Sequence, residues 1–128
     1  MSYTFSKILN TSFDESLDLV KNALQNEGFG VLTDIDVRAT LKKKLDVDFR
    51  SYRILGACNP PFAYKALLKE RMIGTMLPCN VVVQETDDGR TEVSAVDPVS
   101  SMQAIQNQEL AEIADQVREK LQRVIDQL

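Results

Sequence analysis

Apolar positions recur along the chain at two periods, and each change of period marks a new element. Tyr3 and Phe5 alternate with polar neighbours, which predicts a first strand over residues 3–9. Ser12-Phe13-Asp14-Glu15 has the form of a capping box, in which the serine hydroxyl accepts from the Glu15 amide and the glutamate reaches back. Behind it Phe13, Leu17, Val20 and Leu24 share one helical face, and Gly28 suits the left-handed residue that closes a helix, so a helix is expected over residues 13–27. Residues 29–35, short and rich in apolar and β-branched side chains, read as a second strand. Asp36 then caps a short helix in which Val37, Leu41 and Leu45 repeat every four residues, with lysines on its outer side.

A third strand over residues 49–57 runs into Cys58-Asn59-Pro60-Pro61. Proline favours the first helical position, so Asn59 is the expected N-cap of a helix from Pro60 to about Met72, stopped by Gly74. Residues 80–86 and 91–96 are β-branched runs separated by Asp87-Asp88-Gly89, a tight-turn signal, and they predict a hairpin that ends at Asp97-Pro98. Leu110, Ala114, Val117, Leu121, Val124 and Leu128 form a narrow stripe on a final helix over residues 107–127, expected to pack on its own sheet rather than on a partner helix.

Five strands, four helices and one hairpin within 128 residues point to a single α+β domain over residues 1–128. Its expected form is a largely antiparallel five-stranded sheet with helices packed on one face. The alternative, an α/β doubly wound sheet, is weakened by the hairpin and by the lack of a Gly-rich phosphate loop after the first strand.

Composition removes several function classes. The chain has no histidine, so imidazole bases and imidazole metal ligands are excluded, and Ser100 and Ser101 lack an activating partner. Apolar runs fall far short of the ~20 residues needed to cross a bilayer, and no membrane partner is expected. The first five residues lack the basic and apolar regions of a secretory leader, so the expected location is cytoplasmic. Lys and Arg number 15 against 19 Asp and Glu, a net charge of −4. That is the wrong sign for a phosphate backbone, and no nucleic-acid partner is expected. One stretch runs the other way: Arg38, Lys42, Lys43, Lys44, Arg50 and Arg53 outnumber Asp46 and Asp48. It reads first as a solvated helix face and second as an anion-binding patch.

The candidate chemistry gathers around two thiols. Cys58 and Cys79 cannot fill a tetrahedral zinc site, and a structural disulfide is disfavoured in a reducing compartment. Each lies at a strand end and is followed by asparagine. If their strands run antiparallel, both thiols reach one sheet edge; if parallel, they fall at opposite ends. Cys58 also precedes a helix start, where the dipole and free amides favour a thiolate. Met72, Met76 and Met102 would complete a soft ligand set suited to Cu(I). The metal reading therefore takes Cys58, Cys79, Met76 and Met102. A ligand pocket takes Cys58, Asn59, Cys79, Asn80, Asp97 and Arg53, with Arg53 and Tyr52 orienting an anionic ligand. Asp97, before Pro98, is either a general base or cation ligand, or the cap of the segment that follows. The plainest reading is packing, because free cysteine is often buried and methionine fills gaps.

The run Tyr52-Arg53-Ile54-Leu55-Gly56-Ala57-Cys58-Asn59-Pro60, then Leu77-Pro78-Cys79-Asn80-Val81, then Asp97-Pro98 with Met102, resembles the bacterial and archaeal family called domain of unknown function 302. The resemblance spans nearly the whole chain. It implies a small α+β domain of TATA-box-binding-protein-like topology and a homodimer, and it implies no activity and no known cofactor. DNA binding does not carry over, since shared architecture is analogy and the charge is acidic. The expected function is a small non-enzymatic binding module that holds a small ligand or a soft metal ion near the strand-end cysteines. A thiol-based redox enzyme or sensor is one alternative. A dimeric structural or assembly protein with buried thiols is another.

Overall fold

The computed structural model describes residues 2–128; Met1, part of the segment read for a leader, lies outside them. Strands β1 (Thr4–Leu9), β2 (Gly30–Asp36), β3 (Tyr52–Cys58), β4 (Cys79–Glu85) and β5 (Thr91–Val96) form one sheet in the order β1-β5-β4-β3-β2. Every neighbouring pair is antiparallel. This overturns the doubly wound alternative. The β2–β3 and β3–β4 connections contain helices, yet the chain re-enters beside the strand it left and in the opposite direction, so neither is a parallel crossover.

Helix α1 (Phe13–Asn26) begins as its capping box requires, with Ser12 Oγ accepting from the Glu15 amide at 3.2 Å. It buries Leu17, Val20 and Leu24, and Gly28 follows at φ +85°, a conformation that needs no Cβ. Helix α2 (Val37–Leu45) is capped by Asp36, which accepts from the Ala39 amide at 2.9 Å. No residue of α2 is buried and Leu45 stays largely exposed. Its four-residue repeat therefore meets no core, because the helix leaves the last residue of β2 and touches chiefly β3.

Helix α3 (Pro60–Lys69) ends before the expected Met72, and a 3-10 turn (Ile73–Met76) follows. The early stop turns Ile73 inward, where it forms a small second core with Ala66 and Leu110. A one-turn helix α4 (Pro98–Ser101) leads to α5 (Gln108–Asp126), which buries Leu110, Ala114, Val117, Leu121 and Val124 against α1, α3 and the sheet. The main core lies between one sheet face and helices α1 and α5, where Leu55, Val81, Val83, Val93 and Ala95 are completely buried. Each such valine or leucine contributes roughly 1.5–3 kcal/mol through removal of apolar surface from water. No described helix is long and apolar enough to cross a membrane.

Candidate functional site

The pairing of β3 with β4 sets Ala57 opposite Cys79, and the pairing of β2 with β3 sets Gly30 opposite Cys58. Both thiols therefore stand at one end of the sheet on adjacent strands, and both are free. Cys58 is half-buried and Cys79 is buried. Burial pushes the Cys79 thiol up to about 11, with a smaller contribution from the neighbouring Cys58. A thiolate there would lose its water without gaining a cation.

Close packing locks this corner. A Cβ on Gly56 would lie 2.1 Å from Thr33 Oγ1 and 2.7 Å from Pro78 Cγ, so only glycine fits beneath those two groups. Asn59 stands at the N-cap position of α3 but makes no side-chain capping bond. Its Nδ2 instead donates to the Glu27 carbonyl at 3.2 Å, tying the start of α3 to the end of α1.

Between this corner, α3 and α5 lies a cavity of about 260 Å³. Cys58, Asn59, Cys79 and Met102 line it, together with Phe29, Phe62, Ala63, Ala66 and Ala114. Leu32 and Leu67 form exposed apolar lips. Among the described residues, the two thiols are the only titratable groups in the wall.

The other expected site residues lie outside the cavity wall. Asp97 is buried, but its Oδ1 accepts from the Val99 amide at 3.0 Å and its Oδ2 from Arg118 Nε at 3.2 Å. It thus caps α4 and anchors α5. Arg53 pairs with Asp34 at 3.0 Å and Asp36 at 3.5 Å. Asn80 is exposed, and Met72 and Met76 face outward with it. The basic stretch is partly neutralised in place, since Lys42 meets Asp46 at 3.0 Å and Asp48 at 3.5 Å. Among the described residues, no group of three or more His, Cys, Asp or Glu gathers where a metal ion would sit.

What the sequence reading missed is the space itself and the small residues that make it. Ala63 and Ala66 on α3 and Ala114 on α5 share its wall and leave room that larger side chains would fill. The available signal was the pair of alanines three apart just after the Cys58 motif.

These features define a one-sheet, wholly antiparallel α+β domain with an apolar cavity at the sheet end. A family model described as domain of unknown function DUF302 matches residues 5–128, and the chain belongs to that family. The crystal structure of an uncharacterized conserved protein DUF302 from Bacillus stearothermophilus is similar, with a TM-score of 0.92 at 28% identity. The match covers 99% of this chain and 98% of that one. No curated protein matches the chain.

Proposed function

We propose that the protein is a non-enzymatic binding module that takes a small, mostly apolar ligand into the cavity beside Cys58 and Cys79. The observation that carries this reading is the cavity of about 260 Å³, bounded by aromatic, aliphatic and sulfur groups. An apolar cavity of ~150 Å³ already takes up benzene, so this one suits a ligand of roughly ten non-hydrogen atoms. Atoms lining an empty apolar space lack partners on one side, and a ligand restores those contacts. An enzymatic reading draws less support, because the wall offers no carboxylate or amine and Cys79 stays protonated near neutral pH. A reducing cytoplasm, where both thiols stay free, belongs to the same proposal.

Titration with indole tests it. Saturable one-to-one binding is expected, with a dissociation constant on the order of 0.1–1 mM for a ligand of this size. Ala114→Leu, which fills the space, should abolish it. Failure of indole to bind the folded wild type would overturn the reading.

A second reading rests on the three sulfurs, Cys58, Cys79 and Met102, that share this wall. They form a soft set for a Cu(I) ion, which would have to displace the thiol protons. Competition with a Cu(I) chelator decides it: equal affinity in wild type and Cys58→Ser removes the metal.

A further inference from the structure

The two thiols that line the cavity stand in different surroundings. Cys79 packs into the main core and is 7% exposed, whereas Cys58 belongs to neither apolar cluster and is half-buried. A molecule that enters the cavity therefore meets Cys58 as a sulfur still open to attack from the solvent side. Burial holds the Cys79 proton in place up to about 11, which leaves Cys58 as the nucleophile of this wall near neutral pH. The other lining groups narrow what that sulfur can do. Among the described residues the wall has no carboxylate, amine or hydroxyl side chain, and Asn59 Nδ2 is committed to the Glu27 carbonyl at 3.2 Å. Acyl transfer would need donors for an oxyanion and an acid for the leaving group, and disulfide formation would need an external oxidant. Addition of a thiol across a polarised double bond needs none of these, because the thiol itself brings both atoms that are added.

Resting on the cavity as the binding site, we infer that Cys58 is a covalent capture site for a small, apolar α,β-unsaturated carbonyl compound. The apolar body of the ligand fills the space beside Phe62, Ala63 and Ala114 and sets its double bond against Cys58. The Cys58 sulfur, as thiolate, forms a bond to the β-carbon while the electron pair of the C=C bond shifts towards the carbonyl oxygen. The resulting enolate takes a proton from water at its α-carbon, replacing the one the thiol gave up. The net change is S–H added across C=C, with nothing oxidised by an outside agent and no leaving group. A ligand held by apolar contact alone leaves easily, and the S–C bond retains it.

Labelling of the folded protein at neutral pH with phenyl vinyl ketone and with methyl vinyl ketone tests this, since the two share one enone and differ in the apolar body. Intact-mass spectrometry and peptide mapping should show a single addition, at Cys58. Wild type should favour the phenyl compound about tenfold more than free glutathione does with the same pair, because only the protein offers a cavity for the ring. Indole at saturation should slow the labelling. Cys58→Ser should take up neither compound over the same interval, and Cys79→Ser should keep both the adduct and the preference. Addition at Cys79, or a preference no larger than that of glutathione, overturns the capture site by showing a thiol that reacts without the cavity. If indole binds and Cys58 still stays unlabelled, the inference falls and the cavity reading stands. If indole does not bind the folded protein, the cavity reading falls and this inference with it.

Discussion

At the β4–β5 turn the chain closes on its own polar groups, while at the opposite end of the same sheet it leaves an apolar space. In the turn, Asp88 accepts from Arg90 Nε at 3.0 Å and from the Thr86 hydroxyl, and Gly89 supplies φ +82°. Those bonds, the Arg90 one foremost, lower the Asp88 carboxyl from 3.8 to about 2. Five consecutive residues do all of this. At the other end, Asn59, Cys79, Met102 and Ala114 arrive from four separate segments, and what they surround is a cavity of about 260 Å³. The turn is complete without a partner. The cavity end has apolar surface to spare, which is where a ligand gains most.

The largest expected effect breaks the cavity end outright. Gly56→Ala should destabilise the fold by about 3 kcal/mol in urea unfolding, because the new methyl meets Thr33 and Pro78 at impossible distances. Adding Thr33→Ala should return part of that loss; no recovery would mean that Pro78 alone forbids the methyl.

Next comes Cys79. Its thiol pKa is raised from 9.0 to about 11, so the folded state holds the proton more tightly than the unfolded one. The stabilisation is complete below pH 9 and is lost as pH climbs through 11. Relative to Cys79→Ala, wild type should lose ~2–3 kcal/mol across that window. Parallel curves for the two proteins would refute the burial argument.

Asp97→Ala should cost about 1–2 kcal/mol at neutral pH, since it removes a cap and a charged partner, discounted because Arg118 is half exposed. Thermal unfolding measures it, and Asp97→Asn should recover the cap but not the ion pair. The smallest effect belongs to the turn. Asp88→Asn should move the thermal midpoint least of the four, and NMR titration of wild type should place the Asp88 carboxyl near 2. Its contribution is present above pH 3.8 and fades as pH falls through 2, so a midpoint near 4 would show that the turn is open in solution.

Much of this architecture was readable because the deciding interactions are local. Ser12 with Glu15 starts α1, and the stripe from Leu110 to Val124 orients α5. Asp87-Asp88-Gly89 makes the β4–β5 hairpin, while β3 and β4 pair antiparallel across the α3 connection. That one geometric relation brings both thiols to a common corner. The unread parts depend on distant neighbours. Leu41 and Leu45 have the spacing of a buried face, but nothing in the sequence says that no element will cover them. The capping role of Asp97 is legible beside Pro98, but its ion pair with Arg118, far along α5, is not. The cavity leaves no periodic trace because it is made by what Ala63, Ala66 and Ala114 lack.

The ladder between β2 and β3 slips at Val31/Thr33, and β2 is the outermost strand on its side. An extra residue there bends the strand and breaks the even row of amides that another chain would need for pairing. Lateral growth of one molecule's sheet onto the next should therefore be disfavoured on this flank. The irregularity that seats Thr33 over Gly56 is thus of the kind that keeps a sheet border from pairing with another chain.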